Sequence, residues 1–383
     1  MHKATTRIIR IIIFTFLLPA LGCLNASGQT LSFPESWRSS WYNVPPLFHQ
    51  DTLEICILGD IMMHGKQIEN TSRGDSGHDF SSFFSLIEKD IRDADIAIAN
   101  MEFTLGGKPY TGYPSFSAPD GFEEYLADCG FDIFLAANNH IFDKGAAGAE
   151  RTLTRYRKLQ DEKKIRFTGL AGSVEELAET TPLTVRAKGM LLSFINFTYG
   201  TNQGCGRHWP RTNYLNDTQL LEEAFLKARE AESDYIIALP HWGNEYVLKH
   251  SKQQEDMARR MIEKGASAVI GSHPHVIQDF QEIEGAPVFY SLGNAVSNMS
   301  AKNTQLELMV SIRIVRHWNG DTEMLPVTHR YLWCSLPGGY NDSYTVIPVE
   351  EYLDKGELWH GKWDYEKMVS TYNRIKTTIE HNE

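Results

Sequence analysis

Five short strings in this 383-residue chain gather the side chains that divalent cations use as ligands. They are Gly59-Asp60-Ile61-Met62-Met63-His64, Asn100-Met101-Glu102, Asn138-Asn139-His140 with Asp143 just beyond, Pro240-His241-Trp242-Gly243, and Gly271-Ser272-His273-Pro274-His275. Carboxylates can bridge two cations, and imidazole nitrogens and amide oxygens can complete the shells. One or two ions of Mn, Fe, Zn or Mg suit that mixture, and a thiolate site does not. Two such ions about 3.5–4 Å apart activate a bridging water and clamp an anionic transition state. A neutral histidine beside them can protonate a leaving group. Singly, each string has a plain structural reading: Asp60 as a turn or helix cap, Glu102 as a solvated strand-end acid, Asn138-Asn139 as a turn, His241 as a bonded core histidine. Two histidines around a rigid proline, after a glycine, have few purely structural uses. Together, in this order, the five strings point to one site.

What must position them is a set of strand ends. Glu54–Gly59 is a continuous apolar run suited to a strand buried on both faces, and Ile96–Asn100 and Ile133–Ala137 read the same way. Tyr235–Leu239 and Ala268–Gly271 are strands before the fourth and fifth strings, and Val288–Ser291 is another. Helices are expected at Phe80–Asp93, Phe122–Cys129 (stopped by Gly130), Ala146–Gln160, from a cap at Asp217 to about Glu232, and from Ser251 to before Gly265. Residues 183–199 read as two strands turning at Lys188-Gly189. Open α/β sheets place ligands in the crevice past the carboxyl ends of their strands, so five strand ends can converge there. After Asn303 the text changes to long antiparallel strands, Leu306–His317 and Met324–Cys334, and a terminal helix near Asp364–Ile379. This order predicts one layered α/β domain over 51–300 that residues 301–383 complete.

Around the strings lie candidate substrate contacts. Trp242 and Tyr246 either wall a groove or pack the core. Asn294, in Tyr290-Ser291-Leu292-Gly293-Asn294, follows a strand and is placed to line the same crevice. Arg207, with His208, Trp209 and Arg211, either holds an anionic substrate or belongs to a solvated loop. The net charge of −12 excludes general nucleic-acid binding, which needs surplus lysine and arginine. Residues 1–28 have the order of a signal peptide: basic Lys3, Arg7 and Arg10, apolar Ile11 to Leu21, then small Ala26-Ser27-Gly28 before Gln29. Cys23 offers an alternative, lipid-anchored start. The expected location is outside the cytoplasm, periplasmic or extracellular, with residues 29–50 as a lead-in arm. The five cysteines show no CxxC spacing and no disulfide framework.

The strings GDIMMHG (59–65), NMEFTLGG (100–107), AANNHIFDKG (136–145), LPHWGNEY (239–246), GSHPHVIQ (271–278) and FYSLGN (289–294) resemble the CapA family of capsule and poly-γ-glutamate synthesis. The family's fold is similar to that of calcineurin-like phosphoesterases. The resemblance covers about residues 54–300 and implies a layered α-β-β-α sandwich of the metallophosphatase type. It implies Asp60 as first metal carboxylate, Glu102 as bridging acid, Asn139, His241, His273 and His275 as further ligands, and His140 as a non-ligand proton donor; Asp143, three residues on, is placed by its spacing to orient that imidazole. Two positions depart from general phosphoesterases. Met62 stands where a histidine ligand is expected, leaving His64 as a candidate substitute, and the bridging residue is Glu rather than Asp. The implied function is a metal-dependent hydrolase or transferase on an anionic envelope polymer or ester, working with capsule synthesis machinery. The alternatives are a phosphoesterase on an envelope phosphate and a non-catalytic assembly or export factor.

Overall fold

The structure, a computed structural model, describes residues 51–204 and 208–380. The expected leader, the arm and Arg207 lie outside the described residues. Strand β1 (Asp51–Ile61) is buried from Ile55 onward. Helices α1 (Gly65–Thr71) and α2 (Glu88–Asp93) lead to β2 (Ile96–Met101), α3 (Phe122–Asp128) to β3 (Ile133–Leu135), and α4 (Gly145–Asp161) to β4 (Arg166–Thr168). The helix expected over Phe80–Asp93 forms only in its last turn and a half. Upstream, tight turns bury Phe80, Phe83, Phe84 and Ile87, and the Phe84 N–H donates to the Tyr125 hydroxyl at 3.2 Å instead of to a helical carbonyl. Tertiary packing of the aromatic side chains overrides the helical spacing there.

A short β5 (Leu170–Ala171) and α5 (Val174–Thr180) precede the hairpin of β6 (Leu183–Ala187) and β7 (Met190–Thr198). Its turn is the expected Lys188-Gly189, both at positive φ, the geometry that two-residue hairpins favour. Next come β8 (Arg211–Thr212), α6 (Thr218–Glu230), β9 (Tyr235–His241), α7 (Lys252–Glu263) and β10 (Ala268–Ile270). Asp217 caps α6 through the Leu220 N–H, and Ser251 opens α7 with a reciprocal capping box to Gln254. The chain ends with β11 (Phe280–Ile283), β12 (Ala286–Phe289), β13 (Asn294–Val296), β14 (Leu306–Arg316), β15 (Thr322–Met324), β16 (Thr328–Ser335), β17 (Thr345–Pro348), α8 (Val349–Tyr352) and α9 (Lys362–Glu380).

Two large sheets result. The first runs β17-β16-β14-β1-β2-β3-β4, with β13 paired to the end of β1 and β15 to β14. The second runs β11-β12-β10-β9-β7-β6, and β5 and β8 form a separate ribbon. The late antiparallel strands therefore enlarge the first sheet, with β14 lying directly against β1. Strand alternation sorts the core into layers. Ile55 and Ile57 of β1 face Phe194, Ile237 and Phe289 of the second sheet. Cys56 and Leu58, on the opposite face of β1, pack with Phe84, Tyr156 and Leu159 beneath the helices. On the far side of the second sheet, Phe197 and Ala238 pack against Leu221 and Phe225 of α6 and Met261 of α7. The order is helix, sheet, sheet, helix: the expected α-β-β-α sandwich. Each fully buried large apolar side chain contributes about 1.5–3 kcal/mol against exposure. The described cysteines Cys56, Cys129 and Cys334 are buried thiols.

Candidate metal centre

The five strings meet at the carboxyl ends of β1, β2, β3, β9 and β10. Strand register does most of the placing. Beyond Ile57, β1 parts from β14 and takes β13 as its neighbour, so Asp60 is aligned with Asn100 of β2 on one side and Asn294 of β13 on the other. Gly59 permits the approach, since a Cβ there would lie 2.0 Å from the Gly293 carbonyl oxygen. In the second sheet His241 ends β9 and is bridged to Ser272 at the end of β10.

The side chains interlock. Asp60 accepts hydrogen bonds from the Asn100 amide at 2.7 Å and from the His273 backbone N–H at 3.0 Å. His241 lies between Asn139 Oδ1 (2.9 Å from Nε2) and Ser272 Oγ (3.0 Å from Nδ1). His275 Nδ1 is 2.9 Å from Asn294 Oδ1 and 3.5 Å from Asp60. Glu102 sits at the centre, with His140, His241 and His275 each 3.8–3.9 Å from one of its oxygens. Neither Glu102 oxygen has a hydrogen-bond partner, although the residue is wholly buried, and His273 Nδ1 is equally unpartnered. Buried polar atoms left in this way are costly, and a cation is what such a carboxylate and imidazole lack. Three overlapping donor groups have atoms within 4.8 Å of one another: Glu102–His241–His273, Asp60–Glu102–His275 and Glu245–His273–His275. The donor set thus fits a divalent cation.

Electrostatics agree. Burial, then the charges of Asp60 and Glu245, hold the Glu102 carboxyl well above the ordinary carboxylate range. Burial pushes His241 well below the imidazole range and His273 down to about 3, with neighbouring histidines adding to both, so these two are neutral donors at pH 7. At His275 burial is outweighed by the Asp60 carboxylate and the Asn294 bond, and its pKa is raised. Among the described residues, every ion pair of Asp60, Glu102 and Asp143 is to a histidine.

A family model described as bacterial capsule synthesis protein PGA_cap matches residues 54–299, from β1 to just past β13. The chain belongs to this family. Among curated relatives, it is 25% identical over 307 residues to "Capsule biosynthesis protein CapA" of Bacillus anthracis, covering 76% of this chain and 72% of that one. It is also 25% identical over 289 residues to "PGA biosynthesis protein CapA" of Bacillus subtilis (strain 168), covering 73% and 72%. Similar solved structures include the 5'-nucleotidase precursor of Thermus thermophilus (TM-score 0.44, 12% identity, 85% of this chain and 59% of that one). The 5'-nucleotidase of Candida albicans SC5314 is another (TM-score 0.42, 13% identity, 86% and 60%). The chain spans about three fifths of each nucleotidase's length.

In this member of the PGA_cap family the structure brings Asp60, Glu102, Asn139, His241, His273 and His275 together. His140 stands beside them, with Nδ1 2.6 Å from Asp143 Oδ2, and that same oxygen accepts the Phe116 N–H at 2.7 Å. His64 does not join the donor groups. Its Nδ1 accepts the Asn298 N–H at 3.3 Å, its ring meets Phe116 edge-on, and burial lowers its pKa to about 4. Trp242 is buried on the helical side of the second sheet and donates its indole N–H to the Tyr290 carbonyl at 2.9 Å, so it packs the core and does not wall a groove. Asn294 is buried too; its amide is spent on His275, Ser297 and the Thr304 carbonyl, so it orients a donor and does not face substrate. Tyr246 is exposed at the mouth, 6.2 Å from the His275 ring. Four further residues received no role from the sequence. Asn100 and Ser272 stood inside the quoted strings, next to residues that did. Tyr199, whose ring is tilted against that of His273 at 4.5 Å between centroids, and Glu307, whose carboxylate accepts the Gly59 N–H at 3.3 Å, carry no local signal at all.

Proposed function

We propose that this protein is an exported, metal-dependent hydrolase or transferase that acts on an anionic polymer or ester of the cell envelope, in capsule or poly-γ-glutamate handling. The observation that carries the reading is the buried, unpartnered Glu102 carboxylate inside a ring of histidines. Asp60, Glu102, Asn139, His241, His273 and His275 would hold the cation, which supplies an activated water and charge neutralisation for an anionic transition state. Asp143 fixes the His140 ring through Nδ1, which leaves Nε2 directed towards Glu102, 3.9 Å from its nearer oxygen. A proton held at Nε2 is then placed to reach the leaving-group oxygen or nitrogen. A binding module has no use for this oriented imidazole, which favours an enzyme over an assembly factor. Membership of the capsule synthesis family and the names of the CapA relatives support the polymer class.

The test is elemental analysis of purified protein, followed by turnover of phosphate esters and of γ-glutamyl oligomers. Metal content with cleavage of γ-glutamyl oligomers is the expected result. Cleavage of phosphate esters alone would move the assignment to a phosphoesterase. Metal with polymer binding and no turnover would make the protein an assembly or export factor. Export rests on residues 1–28: the envelope form should begin at Gln29 or at a lipid-modified Cys23, and an intact Met1 in the cytoplasm would overturn it.

A further inference from the structure

The inner donor groups are short of ligands on the Asp60 side. Asp60, Glu102 and His275 form one three-donor group, and the two residues placed by sequence to add a fourth do not. Met62 packs in the helix-side core, and His64 is turned to Asn298 and Phe116. The third donor group adds an acid that the sequence strings did not single out, Glu245. A carboxylate oxygen of Glu245 lies within 4.8 Å of ligand nitrogens of both His273 and His275.

Glu245 is exposed, yet its backbone is held. The loop after β9 is fastened along its length to the His-Pro-His loop after β10. The Trp242 N–H donates to Ser272 O (3.0 Å), the Tyr246 N–H to Pro274 O (2.9 Å), the Gln278 amide to Val247 O (2.8 Å), and the His250 N–H to Asp279 (2.9 Å). Tyr246 takes a left-handed φ of 65° to make the turn, and His273 and His275 are also left-handed at 101° and 61°. Non-glycine residues in that region cost about 1–3 kcal/mol each and persist where the surroundings over-determine them. The fastening places one acid over two histidines that already face the buried carboxylates. Among the described residues no lysine or arginine forms an ion pair with Asp60, Glu102 or Glu245, and the cationic side chains paired with the two buried carboxylates are all histidines.

We infer that Glu245 is a cation ligand at the solvent side of the centre, sharing His273 and His275 with the buried groups and standing in for the donor that Met62 does not supply. The inference rests on the proposed divalent centre. Being exposed, this ligand is the one that an incoming anionic substrate group can displace without unpacking the core.

The test uses the full mature chain stripped by chelation and titrated with Mn2+, reading stoichiometry by elemental analysis, affinity by calorimetry and the Mn2+ electron paramagnetic resonance spectrum. Wild type should bind the ion. Glu245→Gln should weaken the more weakly held ion at least about tenfold, the lower end of what even an outer partner of a ligand contributes. Glu245→Asp, one methylene shorter, should fall between. Circular dichroism and the melting temperature of the stripped variants should match wild type, because the side chain is exposed. An isotherm and spectrum unchanged in Glu245→Gln, with wild type binding Mn2+, would overturn the role of Glu245 and leave the centre intact. Wild type that takes up no cation would overturn both.

Discussion

Replacing Glu102 by Gln separates a structural acid from a ligand, because the two roles predict opposite effects on stability. The carboxyl is fully buried, accepts no hydrogen bond and has three histidines at 3.8–3.9 Å. Gln has nearly the same volume and removes a group that is costly to ionise. The stripped variant should therefore melt at or above the wild-type temperature. The gain from metal should instead collapse. At a free ion concentration of 100 times Kd, wild type gains about 2.7 kcal/mol. If losing the central charge weakens binding about a hundredfold, the same ion concentration equals the variant's Kd, and the gain shrinks to RT ln 2, about 0.4 kcal/mol. With an unfolding entropy of about 2.1 cal/mol/K per residue, a folded body of roughly 330 residues shifts by about 1.4 °C per kcal/mol, so a wild-type shift of about 4 °C falls to about 0.6 °C. Scanning calorimetry of stripped and Mn2+-loaded samples reads both quantities. A stripped variant that melts more than about 5 °C lower, or one that keeps the full Mn2+ shift, would refute the reasoning.

His140→Ala should keep its metal and fold yet lose about 10²–10⁴ in turnover, with a smaller loss on substrates whose leaving groups need no proton, and Asp143→Asn should show a weaker defect of the same kind. Equal losses on good and poor leaving groups would make His140 something other than the acid. Glu307 is buried with its pKa raised well above the ordinary 4.5, chiefly by burial against the opposing Gly59 N–H bond. Its contribution is present below the unfolded value and is lost as pH rises through the folded one, so stability should fall with pH over that window. Urea midpoints of the stripped protein at pH 5 and pH 8 should therefore differ less in Glu307→Gln than in wild type. Gly59→Ala puts a Cβ 2.0 Å from the Gly293 carbonyl oxygen, and should cost about 1–3 kcal/mol in urea unfolding while also weakening Mn2+ binding through Asp60 and Asn294.

The sequence was readable wherever one residue type had to stand at one strand end. Asp60, Glu102, Asn139, His241, His273 and His275 were each visible because a polar donor directly after an apolar run is conspicuous. The hairpin turn at Lys188-Gly189 and the caps at Asp217 and Ser251 were legible for the same local reason. What failed depended on contacts distant in sequence. Trp242 reads equally as a groove wall or as packing until the Tyr290 carbonyl, 48 residues away, is seen to take its N–H. The helical spacing of Phe83, Phe84 and Ile87 is real, but the Tyr125 hydroxyl claims an amide the helix needed. Glu307 lies 248 residues from the Gly59 N–H it accepts, and nothing in its own surroundings marks it out.

His64 shows why ligand assignment by counting along the chain stops short. It is four residues from Asp60, and such spacing suggests a substitute for the donor missing at position 62. But β1 ends at Ile61, and the chain turns at once into α1, for which His64 is the cap: its backbone N–H donates to the Gln67 side chain at 2.8 Å. A residue committed to starting a helix has its backbone direction set by that helix, and here the ring is sent to Phe116 and Asn298. Glu245 has the opposite history. It sits four residues after His241, in a loop whose own sequence fixes little, and it reaches the histidines only because that loop is bonded, rung by rung, to the one after β10. Proximity in sequence gives way to the pairing of two loops on adjacent strands. In a site built from strand ends, the neighbouring loop is the better place to look for the absent ligand.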